Sequence, residues 1–250
     1  MPKQRLNKIQ QQAVESTNKP VLIFAGAGSG KTRVLIHKIA YLIDKEKYKA
    51  ENILAVTFTN KAAKEMRVRA SKLLNNDNLP ITIGTFHSLC ARILRNEAKY
   101  LNLSPQFVIY DVQDQVDLLK ILLKKLDVSK NILTPNRARN IISSLKNKII
   151  MPKDQKRKAR TNFDKTFAKL YYLYQKELRN NEALDFDDLL LLPLELFDKN
   201  PIVLDKYQDK WKYILVDEYQ DTNKSQFELL IKLSKKNKKI CVVGDDDQSI

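Results

Sequence analysis

The glycine-rich segment from Ala25 to Thr32, AGAGSGKT, holds residue types whose spacing suits phosphate chemistry. Glycines allow backbone N–H groups to close around a phosphate, and a following helix N-terminus adds partial positive charge. Lys31 would reach β- and γ-phosphates, and the Thr32 hydroxyl would ligate Mg²⁺. The segment departs from the strict pattern only at Ala25, where that pattern has glycine. It therefore predicts a nucleotide site made of Ala25, Gly26, Ala27, Gly28, Ser29, Gly30, Lys31 and Thr32.

Two adjacent carboxylates follow an apolar run in ILVDEYQD, residues 214–221. Carboxylates at the carboxyl end of a strand lie where open α/β sheets bind ligands. Asp217 would hold Mg²⁺ through its water shell, and Glu218 would orient or deprotonate an attacking water. The alternative is an acidic pair that only caps the next helix, but a phosphate loop in the same chain favours the catalytic interpretation.

Five short apolar runs are suited to carry these residues. They do not alternate with polar residues, which is typical of strands buried on both faces of a parallel sheet. The runs are PVLIFA (20–25), NILAVTF (52–58), ITIGTF (81–86), KYILVDE (212–218) and KICVVGD (239–245). Helical periodicity separates most of them, as in Ala62–Leu74. The pattern predicts an α/β fold with a parallel sheet and helices on both faces.

The middle of the chain has a different pattern, with helical periodicity and little strand character between about Cys90 and Lys210. We therefore predict a sheet domain at residues 1–89 and 211–250, interrupted by a mostly helical insertion at 90–210. A basic stretch, Lys146–Arg160, lies in this insertion. It indicates either a nucleic-acid contact or a solvated loop.

Composition limits the class of protein. The chain has 250 residues with a formal net charge of +16, and such an excess of Lys and Arg attracts nucleic acid or serves only solubility. No apolar stretch approaches the roughly 20 residues of a membrane span. Cys90 and Cys241 form no C-x-x-C pair, which favours reduced thiols. We expect a cytoplasmic protein without a membrane partner.

Further motifs make the chain resemble superfamily 1 DNA helicases of the UvrD/PcrA/Rep kind. They are LNKIQQQAV (6–14), TFTNKAA (57–63), GTFHS (84–88), DFDDLL (185–190), DEYQDT (217–222) and GDDDQSI (244–250), in the family's order. By this resemblance Gln10 and Arg33 contact the nucleotide, and Gln248 senses the γ-phosphate. TFTNKAA, GTFHS and DFDDLL match motifs that line the path of single-stranded DNA. The DNA-contact candidates are Phe58, Asn60, Phe86 and His87.

The resemblance implies a RecA-like domain with a helical insert, in an ATP-dependent helicase that moves 3′ to 5′ and uses ATP and Mg²⁺. Its implied partners are single-stranded DNA, duplex junctions and a second motor domain of the same protein. Since the last motif reaches Ile250, we expect this chain to be an N-terminal part without that second domain and nearly inactive alone. Two alternatives stay open: a helicase–nuclease subunit of the AddA/RecB type, and a non-catalytic, nucleotide-dependent DNA-binding module.

Overall fold

A computed structural model describes residues 6–26, 28–129 and 131–245. The described residues divide into two compact units. The first, called here the sheet unit, lies within Met1–Leu89, Pro201–Thr222 and Leu230–Ile250. The second, called the helical unit, comprises Cys90–Asn200 and Asn223–Leu229. The predicted split of a sheet domain by an insertion differs from this division at two places, because residues 201–210 lie in the sheet unit and 223–229 lie in the helical unit.

The first half of the chain forms α1 (Lys8–Glu15), β1 (Val21–Phe24), α2 (Lys31–Asp44), β2 (Ile53–Thr57), α3 (Asn60–Leu74), β3 (Thr82–Thr85), α4 (Phe86–Asn96), β4 (Val108–Tyr110) and α5 (Val112–Lys125). The second half forms α6 (Pro135–Asn147), α7 (Pro152–Lys158), α8 (Asn162–Asn180), β5 (Ala183–Asp185), α9 (Phe186–Lys199), α10 (Pro201–Lys210), β6 (Tyr213–Val216), α11 (Lys224–Ser234) and β7 (Ile240–Gly244). Within this described part, no helix combines the length and apolar character of a membrane span.

The sheet unit is built on five parallel strands in the order β1-β7-β6-β2-β3. Every residue of β2 and β6 is buried, because helices cover both faces of the sheet centre. α2 contributes Leu35, Ile39 and Leu42 to the core, all fully buried. The predicted α/β class and all five predicted strands are confirmed. The parallel arrangement brings the loops after all five strands to one edge of the sheet.

The helical unit has its own core, in which α5, α6 and α8 pack their apolar faces together. It also contains a two-stranded parallel pair, β4 and β5, that the sequence pattern does not predict. Each strand has only three residues, too few for a recognisable apolar period.

A buried charge cluster lies within the helical unit. The Lys146 ammonium is 2.6 Å from Asp185 Oδ2 and 2.7 Å from Asp188 Oδ1. Tyr174 donates its hydroxyl to Asp185, and the Gln175 amide donates to Asp188. Lys146 is only 1% exposed, so it belongs to the core and not to an exposed basic stretch. Among the other basic residues from Lys148 to Arg160, each one is exposed.

Candidate nucleotide site

The phosphate loop leaves the end of β1 and enters α2, as the sequence predicts. Gly28 and Gly30 have φ angles of +75° and +85°, a region that glycine adopts without the strain other residues suffer. Ser29 N–H donates to Gly26 O at 3.3 Å, which closes a turn. Ala25 follows β1 in extended pairing, with its N–H on Gly244 O. The predicted site residue Ala27 lies outside the described residues.

Lys31, in the first turn of α2, is held by two oxygens. Its ammonium donates to Ala25 O at 2.9 Å and to Asp245 Oδ2 at 2.6 Å. Asp245 comes directly after β7 and is buried. A phosphate in the loop would compete with this carboxylate for the ammonium, because both anions seek the same donor.

Thr32 and Asp217 form the opposite part of the site. The Thr32 hydroxyl donates to Asp217 Oδ2 at 3.0 Å, which joins the phosphate loop to the end of β6. Burial raises the pKa of Asp217 above its ordinary value, and the hydrogen bond from Thr32 opposes this rise. A hydroxyl beside a carboxylate is an oxygen pair that suits Mg²⁺, which also keeps waters and phosphate oxygens as ligands. These two residues therefore fit the predicted metal.

Glu218, the second carboxylate of the pair, has an unusual backbone conformation. It has φ 51° and ψ 47°, the left-handed region, which is uncommon for a residue other than glycine and occurs often at functional sites. Its carboxylate accepts a hydrogen bond from Gln220 Nε2 at 2.8 Å. Gln220 Oε1 in turn accepts from Asp245 N–H at 3.0 Å. The Gln220 amide thus connects Glu218 to Asp245.

Sequence reasoning missed both Gln220 and Asp245 as parts of the site. Gln220 is two residues after Glu218 in DEYQDT, and Asp245 is three residues before Gln248 in GDDDQSI, so the motifs marked the segments but not these contacts. Gly244 is a further sequence signal for the contact between Gln220 and this segment. A Cβ at Gly244 would lie 3.2 Å from Gln220 Oε1, which is closer than most Cβ contacts. The remaining predicted residue of this segment, Gln248, lies outside the described residues.

Gln10 projects from α1 toward the phosphate loop. Its Nε2 donates to Ser29 O at 2.9 Å, and its Oε1 accepts from Arg33 Nη2 at 3.0 Å. Oε1 also accepts from Asn7 N–H, which completes a capping box at the start of α1. The structure therefore brings the two predicted nucleotide contacts, Gln10 and Arg33, together beside the loop.

The predicted DNA-contact residues follow β2 and β3 at the same sheet edge. Phe58 is half-buried and borders a cleft of about 320 Å³ that Asp217 and Glu218 also line. Asn60 is exposed at the start of α3, and His87 is half-buried in α4. Phe86 is only 1% exposed and packs edge-on against Phe58, with ring centroids 5.6 Å apart. A buried ring offers no face to a base, so the structure corrects Phe86 to a core residue that supports Phe58.

The DFDDLL motif is located in the helical unit, at the junction of β5 and α9. Asp185 and Asp188 are buried in the cluster around Lys146, where they also cap α9. Each carboxylate is only 1% exposed, so neither offers an oxygen to an external ligand. Phe186, between them in sequence, is exposed.

Comparison with known proteins decides the family. The model of the UvrD/REP helicase N-terminal domain matches residues 6–250. The chain belongs to this family. It is 47% identical over 245 residues to the ATP-dependent DNA helicases PcrA of Staphylococcus epidermidis and Staphylococcus aureus. Those matches cover 98% of this chain and 34% of each relative, so the family member described here spans about a third of the length of these curated relatives.

Proposed function

We propose that this chain forms the ATP- and Mg²⁺-binding part of an ATP-dependent DNA helicase. The observation that carries the proposal is the 3.0 Å contact between Thr32 and Asp217, which places the phosphate loop against the acidic pair. Lys31 and Glu218 lie at the same sheet edge. The PcrA relatives support ATP as the nucleotide and DNA as the substrate, since both words are in their name.

Each residue has a distinct role in this proposal. Lys31 leaves Asp245 and binds the β- and γ-phosphates, while Thr32 and Asp217 hold the Mg²⁺ that neutralises phosphate charge. Glu218 orients or deprotonates the attacking water, and Gln220 fixes its carboxylate. Gln10 and Arg33 hold the nucleotide, as the resemblance implies. Gln248 senses the γ-phosphate by resemblance.

Single-stranded DNA is the proposed second ligand of the same edge. Phe58 borders the cleft beside Asp217 and Glu218, so a base stacked on its ring would lie next to the nucleotide site. The net charge of +16 favours contact with phosphates. We propose Asn60 and His87 as further contacts, duplex junctions as the substrate, and 3′-to-5′ movement from the resemblance alone.

The test is phosphate release in two contexts. In one, the 250-residue chain is assayed alone; in the other, it replaces the matching segment of the Staphylococcus aureus relative. We expect strong stimulation by single-stranded DNA in the chimera, and loss of turnover with retained ATP binding in Glu218→Gln. Hydrolysis by the chain alone should be at least about a thousandfold slower, because arginines supplied by the rest of a motor contribute roughly 10³–10⁵ in rate.

An inactive but well-folded chimera that still binds ATP and DNA would contradict the helicase proposal and favour a non-catalytic binding module. Equal, DNA-stimulated rates for the chain alone and the chimera would show that the 250 residues build a complete hydrolytic site.

A further inference from the structure

Arg67 lies on α3, and its guanidinium ends on the backbone at the start of β3. Nη2 donates to Ile83 O at 2.9 Å, and Nη1 donates to Ile81 O at 3.4 Å. Carbonyls two residues apart along an extended chain point to the same side, so one planar guanidinium can hold both. In the part of the chain that the structure describes, β3 is the last strand of the sheet and has a neighbouring strand on one side only. Arg67 therefore fixes an edge strand.

The turn from β3 into α4 leaves little room for adjustment. Thr85 and Ser88 cap each other, because Ser88 N–H donates to Thr85 Oγ1 at 3.2 Å and Thr85 N–H donates to Ser88 Oγ at 3.0 Å. Ser88 Oγ also donates to Thr85 O at 2.9 Å. A Cβ at Gly84 would lie 2.8 Å from Ser88 Oγ, closer than Cβ atoms approach other atoms. A displacement of β3 is therefore passed on to the first residue of α4, which is Phe86.

Phe86 is the residue that meets the proposed DNA-stacking ring. It is only 1% exposed, and it packs edge-on against Phe58 with ring centroids 5.6 Å apart and ring planes at 63°. An edge-to-face contact of this kind favours one orientation of the two rings. Phe58 is half-buried and also borders the cleft beside Asp217 and Glu218. The position of β3 thus decides how Phe58 is presented to the cleft.

Other contacts keep β3 in the sheet when Arg67 is replaced. The strand pairs with β2 over its whole length, from Thr82 to Thr85. In addition, Trp211 Nε1 donates to Thr82 Oγ1 at 3.2 Å. We therefore expect Arg67 variants to fold. What they lose is the contact at Ile83, which lies close to the junction with α4.

We propose that Arg67 is a positioning residue for single-stranded DNA: it fixes β3, β3 sets Phe86 behind Phe58, and Phe58 then offers its ring to a base. This inference rests on the proposed DNA contact of Phe58. The Arg67 guanidinium acts through the two backbone carbonyls that it holds and not through DNA phosphates. Its replacement should therefore weaken base stacking and leave the electrostatic part of DNA binding unchanged.

The experiment measures binding of a labelled oligo(dT) to the 250-residue chain by fluorescence anisotropy at several salt concentrations. For Arg67→Met we expect about a fivefold loss of affinity, which is part of the loss expected when the stacking ring itself is removed. The slope of log affinity against log salt should keep its wild-type value, whereas losing one phosphate contact on a single strand would reduce it by about 0.7. The matched control is Lys72→Met, an exposed lysine in the last turn of α3, which should bind like wild type.

A double-mutant cycle separates positioning from general weakening. In the Phe58→Ala background, Arg67→Met should cause no further loss of oligo(dT) affinity, because no ring is left to position. Arg67→Lys keeps the charge, but its ammonium lacks the planar fork that spans two carbonyls, so it too should bind less tightly than wild type. The same cycle with Arg67→Lys keeps the test decisive where Arg67→Met does not fold. Mg·ATP affinity in calorimetry should be unchanged in all Arg67 variants, since the phosphate loop lies between β1 and α2.

Each contrary result has a separate meaning. Wild-type oligo(dT) affinity in Phe58→Ala would refute the proposed DNA contact itself. A loss in Phe58→Ala but none in folded Arg67→Met would refute the positioning role alone. A loss in Arg67→Met that persists without the Phe58 ring, or that comes with a smaller salt slope, would make Arg67 a direct phosphate contact. Parallel losses of DNA and ATP affinity would reduce it to a general structural residue.

Discussion

Replacing Lys146 by methionine would leave two carboxylates facing each other in the core of the helical unit. The Lys146 side chain is 0% exposed, and those of Asp185 and Asp188 are 1% exposed. Removing one member of a buried ion pair typically costs about 3–5 kcal/mol, because the remaining charge lacks both water and partner. Burial and the neighbouring Asp185 already raise the pKa of Asp188 to about 6. At pH 7 the Asp188 carboxylate of the variant can therefore bind a proton and become neutral. This protonation costs about 1.4 kcal/mol for each unit by which the pKa of Asp188 lies below the pH.

Because this protonation removes one of the two buried charges, we expect the loss of unfolding free energy at the lower end of the range for a broken buried ion pair. That loss is about 3 kcal/mol at pH 7. In a chain of this size that corresponds to a fall of about 6–12 °C in melting temperature. Without the lysine, both carboxyl pKa values in the folded variant rise above the unfolded value of about 4. The folded variant then binds more protons than the unfolded chain above that pH, so its stability falls as pH rises. The loss relative to wild type should be smaller at pH 5 than at pH 7.

Differential scanning calorimetry at the two pH values measures both effects. Lys148→Met is the control, since Lys148 is exposed two residues further on and its replacement should change stability by less than about 0.5 kcal/mol. A loss for Lys146→Met as small as that of the control, or one that does not vary with pH, would refute the buried-charge argument.

Three further predictions concern the nucleotide site and the DNA path. Asp245→Asn should raise ATP affinity several-fold in calorimetry, because it weakens the contact that competes with phosphate for Lys31; a lower affinity would show that Asp245 itself holds the ligand. Burial raises the pKa of Asp217, and Mg²⁺ binds the ionised carboxylate. On acidification, Mg²⁺-dependent ATP affinity should therefore begin to weaken at a higher pH than it would with an aspartate of ordinary pKa. An affinity that stays constant down to about pH 4 would contradict this. Phe58→Ala should cost about 1–3 kcal/mol of binding to an oligo(dT) in fluorescence anisotropy, whereas Phe163→Ala, an exposed ring in the helical unit, should cost nothing. Equal affinities for both variants would make Phe58 only a core residue.

The sheet and its ligand edge follow from local sequence features. The five strands are apolar without alternation, and each ends in the residues that form the site, so a parallel sheet predicts their proximity. Gly28 and Gly30 take the positive φ angles that a phosphate loop needs. These features are short-range, which is why pattern alone found them.

The buried lysines do not follow from such features. Lys146 lies in a run of basic residues, and its partners are about 40 residues later, so nothing local marks it as part of a core. Lys38 is likewise a polar residue in an amphipathic helix, and its partners are backbone carbonyls that no sequence pattern displays. Phe86 is a DNA-contact candidate by its motif, but its ring is buried and packs against Phe58, which the motif alone does not show.

Titration of Mg·ATP into the 250-residue chain by calorimetry tests the central claim most directly. The account predicts binding that needs Mg²⁺ and that falls about 10- to 150-fold in Lys31→Ala, from the roughly 1.5–3 kcal/mol of a charge-assisted phosphate contact. Lys61→Ala, an exposed lysine on α3, should bind like wild type. Equal ATP affinity for wild type and a folded Lys31→Ala would contradict the assignment of this loop as the nucleotide site.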